Sequence, residues 1–154
     1  LLGKPHSVMA EIDNTLTDVA PDDTGIAIYR WDENHNGAMG VLFNSSITLA
    51  GENTCEIYGD EGVIIQNYDD GVSVHHSRGD APLKLFHKST GQWEPFEYSL
   101  PAAHFERLKA VPRPWLDNLK NGAPPTVSAR DGKVSTQMCL TAYESARTGR
   151  RVML

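Results

Sequence analysis

Apolar and polar positions alternate along the first third of the chain, and a period of two predicts β-strands. Val8, Ala10 and Ile12 oppose Met9, Glu11 and Asp13 in a strand predicted over Ser7–Leu16. Ile26, Ile28 and Arg30 oppose Ala27, Tyr29 and Trp31 over Thr24–Trp31. Asp32-Glu33-Asn34-His35-Asn36-Gly37 is a polar, glycine-ended stretch of the kind that closes a hairpin. Ala38–Leu49 predicts a longer strand, with Met39, Val41, Phe43, Ser45 and Ile47 on one face and Gly40, Leu42, Asn44 and Ser46 on the other. Both faces are apolar at its start, which predicts cover on both sides there. Shorter strands follow at Cys55–Tyr58, Val63–Tyr68 and Val72–His76, with a further hairpin of Leu83–His87 and Trp93–Tyr98. Glycine-containing turns at 59–62, 69–71 and 89–91 separate them.

Helical character begins only near Ala102. Pro112 and Pro114 divide that region into a short helix over Ala102–Lys109 and a second over Pro114–Asn121. A longer helix then carries Val134, Met138, Ala142 and Ala146 four residues apart, with Cys139 and Tyr143 beside them, an apolar stripe over about four to five turns. Ser128 or Asp131 can accept its first free N–H groups, and Gly149 stands where a left-handed residue ends a helix. Strands come first and helices after, with hairpin connections throughout. That order predicts an α+β fold: a mostly antiparallel, open-faced sheet with helices packed on one face. The other face carries apolar side chains that call for a second protein surface.

Composition narrows the function classes. A chain of 154 residues suits one domain with one core. Fourteen basic against twenty acidic residues give a net charge of −6, which argues against binding a phosphate backbone, so no nucleic-acid partner is expected. The basic cluster Arg147, Arg150 and Arg151 has a local reason to stand at a helix C-terminus. No apolar run approaches the ~18 residues of a membrane span, so no membrane partner is expected. Cys55 and Cys139 form neither a disulfide framework nor a zinc motif; buried free thiols in a reducing cytoplasm are expected.

Reaction chemistry finds little support. His75 and His76 are adjacent in a predicted strand, so they point to opposite faces and cannot chelate one ion. No metal ligand set is expected. Asp69 and Asp70, followed by Gly71, read as turn residues rather than a carboxylate pair. Ser45, Ser46 and Ser77 sit in no nucleophile elbow. Trp31, Trp93 and Trp115, with Tyr58, Tyr68 and Tyr98, fit core or interface positions better than a sugar-stacking surface.

Ala142-Tyr143-Glu144-Ser145-Ala146-Arg147-Thr148-Gly149-Arg150-Arg151-Val152 resembles the C-terminal signature of the Gfo/Idh/MocA oxidoreductases. The segment from Pro114 to Pro125 resembles the family's stretch before that helix. Ala50-Gly51-Glu52-Asn53-Thr54 and Ile57-Tyr58-Gly59-Asp60-Glu61-Gly62 resemble strand-connecting segments, and Leu1-Leu2-Gly3-Lys4-Pro5 the exit from its active-site helix. The resemblance implies a C-terminal domain of the dihydrodipicolinate reductase-like kind spanning residues 1–154.

It implies a parent enzyme that moves hydride between NAD or NADP and a sugar, cyclitol or similar hydroxylated molecule. It also implies a Rossmann partner domain before Leu1 and homo-oligomers formed through the open sheet face. This chain has no Gly-x-Gly-x-x-Gly run, and its Lys4-Pro5 lacks the preceding glutamate of the family's catalytic Glu-Lys-Pro. The family's Asp/His pair falls just before Leu1. No catalytic, cofactor-binding or metal residue is therefore expected within these residues, and the chain alone is expected to be inactive. Arg78, His104 and Arg107 are the candidates for hydrogen bonds to a polyol or carboxylate substrate. The rival expectation is a stand-alone, non-catalytic module that binds a ligand and oligomerises.

Overall fold

The computed structural model describes residues 2–18, 22–47, 53–68, 82–96 and 104–154. Its contacts fall into two compact units: Leu1–Thr48 with Trp115–Leu154, and Leu49–Pro114. The elements are antiparallel strands and a few helices, an α+β fold.

In the first unit, β1 (Ser7–Asp13), β2 (Thr24–Arg30), β3 (Met39–Ser45) and β8 (Val152–Met153) form a sheet of order β3-β2-β1-β8. The alternation read from sequence sets the register: Val8 lies opposite Tyr29 and Ala10 opposite Ala27, while Met9 lies opposite Ile28. β2 and β3 continue it, with Tyr29 opposite Gly40 and Ile28 opposite Val41. The hairpin at 32–37 closes through a 3₁₀ turn, Glu33–His35, and Asn36 then takes a left-handed conformation that asparagine tolerates.

Helix α3 (Ala129–Thr148) covers one face of this sheet. Its start is fixed by a capping box: Asp131 N–H donates to Ser128 Oγ at 3.3 Å, and Ser128 N–H donates to Asp131 Oδ2 at 2.8 Å. Gly149, left-handed at φ 62°, ends it. Val8, Ala10, Ala27, Tyr29 and Ala142 make the buried core, with Ile12, Trp31, Met138, Ala146, Val152 and Leu154 packed around them.

Two buried polar residues complete that contact. Thr141 donates to the Gln137 carbonyl one turn back, at 2.6 Å, so its hydroxyl enters the core satisfied. Ser145 is fully buried; its Oγ accepts the Ala10 N–H at 3.0 Å and donates to the Arg150 carbonyl at 2.6 Å. β8 pairs with β1 only at Ser7 and Val8, so Ser145 takes the β1 edge where the strand partner stops.

The second unit holds β4 (Asn53–Tyr58), β5 (Gly62–Tyr68), β6 (Leu83–His87) and β7 (Gln92–Phe96), antiparallel in that order. Tyr58, Val63, Phe86 and Trp93 form one cross-strand row, with the Phe86 and Trp93 rings 5.3 Å apart. Glycine is required at position 62, because a Cβ there would stand 2.2 Å from the Phe86 carbonyl oxygen. Two further helices, α1 (His104–Ala110) and α2 (Arg113–Lys120), precede α3. After α2, Asn118 donates to the Pro124 carbonyl and to Thr126 Oγ1, closing the Asn121–Pro125 exit.

Three expectations differ from the structure, and one lies outside the described residues. The strand predicted to Leu49 stops at Ser45, where β2 also ends and the Ser46 N–H turns to the Asp23 carbonyl. That strand is not covered on both faces: Met39, Val41, Leu42 and Phe43 are all more than half exposed, because β3 is the last strand of its sheet. Cys55 and Cys139 are exposed rather than buried; the face of α3 that meets the sheet centres on Thr141, Ala142 and Ser145, which leaves Cys139 outside it. The strand predicted at Val72–His76 lies outside the described residues, as do Asp69 and Asp70.

Replacing Ser145 with Ala leaves the buried Ala10 N–H without its acceptor and takes the donor from the Arg150 carbonyl. The expected cost is about 2 kcal/mol or more. A urea titration of the variant followed by circular dichroism checks this; an unchanged midpoint would show that the hydroxyl is dispensable.

Candidate functional site

The second face of the β3-β2-β1-β8 sheet is the most distinctive surface of the first unit. Met9, Ile26, Ile28, Met39, Val41 and Phe43 share it by register. Ile26 is 42% exposed, and Met39, Val41 and Phe43 are each above 60%. Seven-residue β3 contributes three of these side chains and holds no charged residue. The face is a contiguous apolar patch of the kind that marks an interaction surface rather than a reaction centre.

At one end of this sheet a carboxylate organises the β1–β2 connection. Asp23 is buried, and its two oxygens accept from the backbone N–H groups of Thr15, Leu16 and Thr17 and from the hydroxyls of Thr15 and Thr17, at 2.9 to 3.1 Å. Those donors, led by the Thr15 N–H, hold its pKa well below the usual carboxylate range against the opposing effect of burial. The neighbouring Asp22 accepts a hydrogen bond from the Tyr143 hydroxyl of α3, and that bond pushes the Tyr143 pKa up. The connection is thus fastened once to itself and once to the helix.

Elsewhere in the chain, Asp131 is lowered by its Ser128 partner and Asp32 by His35. Burial raises Tyr29, whose hydroxyl donates to the Met138 carbonyl. Among the described residues, each of these shifted groups serves a cap, a turn or a clamp. Among the described residues, no group of three His, Cys, Asp or Glu side chains could hold a metal ion.

Of the residues singled out from sequence, Arg78 lies outside the described residues. Positions 104 and 107 fall one helical turn apart in α1, with His104 its first residue. An open depression lies at the C-terminal end of α3, lined by Glu144, Thr148, Arg150, Arg151, Val152 and Met153. It is not enclosed, and its arginines include Arg151, which donates to Ser7 Oγ at 3.2 Å. Sequence reasoning missed the clamp of Asp23 and the buried hydroxyl of Ser145. An acidic residue preceding a strand and a serine within a helix carry no periodic signal of burial.

Residues 1–154, the whole chain, match the family described as the oxidoreductase family, C-terminal alpha/beta domain. The chain belongs to the Gfo/Idh/MocA C-terminal domain family. It is 25% identical over 146 residues to myo-inositol 2-dehydrogenase of Thermotoga maritima, covering 93% of this chain and 40% of that protein. The WlbA dehydrogenase of Bordetella pertussis, solved with NADH and UDP-GlcNAcA, matches at a TM-score of 0.64 and 25% identity, over 100% of this chain and 40% of that one. An oxidoreductase of Agrobacterium radiobacter, solved with NAD⁺, L-tartaric acid and magnesium, shares the fold at a TM-score of 0.73 and 19% identity, over 99% and 44%. The chain therefore spans less than half the length of these relatives. No described helix is long and apolar enough to cross a membrane.

The clamp on Asp23 fixes the sign of an acid response. Its folded pKa lies below the unfolded value, so the ionised carboxylate stabilises the fold fully above the ordinary carboxylate range near pH 4. That contribution is lost as the pH falls through and below that range. Asp23→Asn should therefore lower the melting temperature at pH 7 and shrink its fall between about pH 5 and pH 2. Asp32 and Asp131 shift in the same direction, so some acid sensitivity remains in the variant. Thermal melts across that range check this, and a variant as stable as the parent protein at pH 7 would refute the clamp.

Proposed function

We propose that this chain is the C-terminal, substrate-side and oligomerisation domain of an NAD(P)-dependent oxidoreductase. The substrate class is a sugar, cyclitol or similar hydroxylated small molecule. The family match over all 154 residues carries this reading. The myo-inositol dehydrogenase and the UDP-sugar dehydrogenase among its relatives support the substrate class.

Hydride chemistry would belong to the partner domain, with this chain shaping the pocket and excluding water. The start of α3 does not fit a dinucleotide. A pyrophosphate needs free N–H groups at a glycine-rich helix start. The start of α3 instead holds the Asp131 carboxylate on its cap. No step of the reaction is therefore assigned to a residue of this chain. Arg78, His104 and Arg107 are the proposed contacts to substrate hydroxyl or carboxylate groups, the latter two at positions of α1.

The uncovered apolar face supports the oligomer part of the reading. Burying Met39, Val41 and Phe43 against a second copy removes three strongly exposed apolar side chains of the first unit from water. The reading extends to a cytoplasmic parent protein in which an N-terminal Rossmann domain is this chain's partner.

Two measurements test the reading. NADH titrated into the 154-residue chain should leave its tryptophan fluorescence unchanged, whereas the full-length gene product should bind it and oxidise or reduce a polyol. Saturable micromolar quenching of the chain alone would overturn the division of labour. In light scattering at tens of micromolar, the unmodified protein should run as a dimer or larger, and Val41→Glu with Phe43→Glu as a monomer with unchanged circular dichroism. A monomeric unmodified protein would remove oligomerisation from the reading.

A further inference from the structure

The outer face of the β3-β2-β1-β8 sheet is charged at its two ends and apolar between them. Its side chains fall into four cross-strand rows, two residues apart along each strand. Arg30 lies in the first row, opposite Ser7, and Arg151 closes on Ser7 Oγ at 3.2 Å. Ile28 with Val41, and Ile26 with Phe43, hold the two middle rows. Glu11 stands in the third row opposite Ile26, and Asp13 in the fourth opposite Thr24. The two arginines and the two carboxylates are exposed, and none of the four forms an ion pair with a described residue. Positive charge therefore marks one end of the strands, and negative charge stands about 14 to 20 Å further along.

Two copies of such a face can stack about a two-fold axis in two aligned ways. With the axis along the strands, each end meets the same end of the other copy. Arginine then faces arginine and carboxylate faces carboxylate, an arrangement that costs affinity. With the axis across the strands, the ends are exchanged. The first row then lies over the other copy's fourth row, and the second over its third. Ile28 covers Ile26 and Val41 covers Phe43, while Arg30 and Arg151 come beside Asp13 and Glu11. The apolar rows supply the attraction, and the charged ends select the direction.

We propose that two copies of this chain dock through this face with their strands antiparallel, Arg30 and Arg151 of each set against Asp13 and Glu11 of the other. This rests on the oligomer part of the oxidoreductase reading and adds to it the orientation of the two copies and the residues that select it.

The test uses the full-length gene product at low salt. In sedimentation it should run as a dimer or a larger assembly. Arg30→Glu and Asp13→Lys should each weaken that association about tenfold or more with unchanged circular dichroism, and an equimolar mixture of the two variants should recover it. Orientation is read separately in Arg30→Lys, with a zero-length carbodiimide that joins amines to carboxylates in contact. In a mixture of isotopically labelled and unlabelled copies, peptides joining position 30 of one copy to Asp13 or Glu11 of the other should appear. Weakened association without that cross-link would overturn the antiparallel orientation. An assembly that keeps its affinity in both charge reversals would overturn the proposal and leave the oligomer reading standing on another surface. A monomeric unmodified protein would overturn both.

Discussion

The hydroxyl of Ser145 is the joint on which the first unit depends. An α-helix laid on a sheet normally meets it through side chains alone, and the sheet's last full strand keeps a row of unpaired backbone groups. Here β8 covers β1 for only two residue pairs, and the next free N–H, that of Ala10, is taken by Ser145. The same oxygen gives its proton to the Arg150 carbonyl, just past the left-handed Gly149. One buried group thus fixes the helix against the strand and folds the chain back after the helix, which brings Val152 opposite Val8. An apolar residue of similar size would fill the space and leave two backbone groups stranded. The capping box at the other end of α3 sets where the helix begins; Ser145 sets where it rests.

The core that this joint closes is thin. Five apolar residues are buried in it, three of them alanine. Small side chains let the helix approach the sheet closely, but they remove little apolar surface from water. Four large apolar residues of the sheet, Met39, Val41, Phe43 and Ile26, stand on the opposite face. The sheet thus has an inner face that the chain closes by itself and an outer face whose apolar side chains stay exposed. In the second unit the same constraint is sharper, since no described residue there is buried. Side chains of both sheets alternate as strands require, so what the pattern specifies is a surface as much as a core.

What was legible in the sequence follows from periodicity. Val8, Ala10, Ala27 and Tyr29 could be placed on one face because a period of two admits no other answer once a single residue is assigned. Helix α3 could be delimited because Ser128, Asp131 and Gly149 each satisfy a backbone requirement that few residues meet. Thr141 and Ser145 could not be found this way. A stripe drawn through apolar residues passes them by, although a hydroxyl bonded within its own helix or to a strand edge is as buried as an alanine. Cys139 and Tyr143 were drawn into the stripe by their apolar character and lie outside it. The two-residue strand β8 is too short to show a period, and it exists because the turn after Gly149 delivers it to β1. Of the candidate substrate contacts, sequence could name residue types suited to hydroxyl groups. Their placement depends on segments such as the one holding Arg78, which lies outside the described residues.

The direction of the shifted pKa values bears on what kind of part this chain is. A catalytic acid or base works best with a pKa near the working pH, so active sites push carboxylates up and tyrosines or lysines down. The shifts of these groups run the opposite way. Asp23, Asp32 and Asp131 are lowered by hydrogen bonds to their charged forms, and Tyr29 and Tyr143 are raised by burial and by a neighbouring carboxylate. Each group is thereby fixed in one protonation state across the neutral range. Such groups hold structure and exchange no protons. Asp23 fastens the β1–β2 connection, Asp131 starts α3, and Tyr143 ties the two together through Asp22. Groups committed in this way suit a rigid wall, which is the part the proposed reading gives this domain.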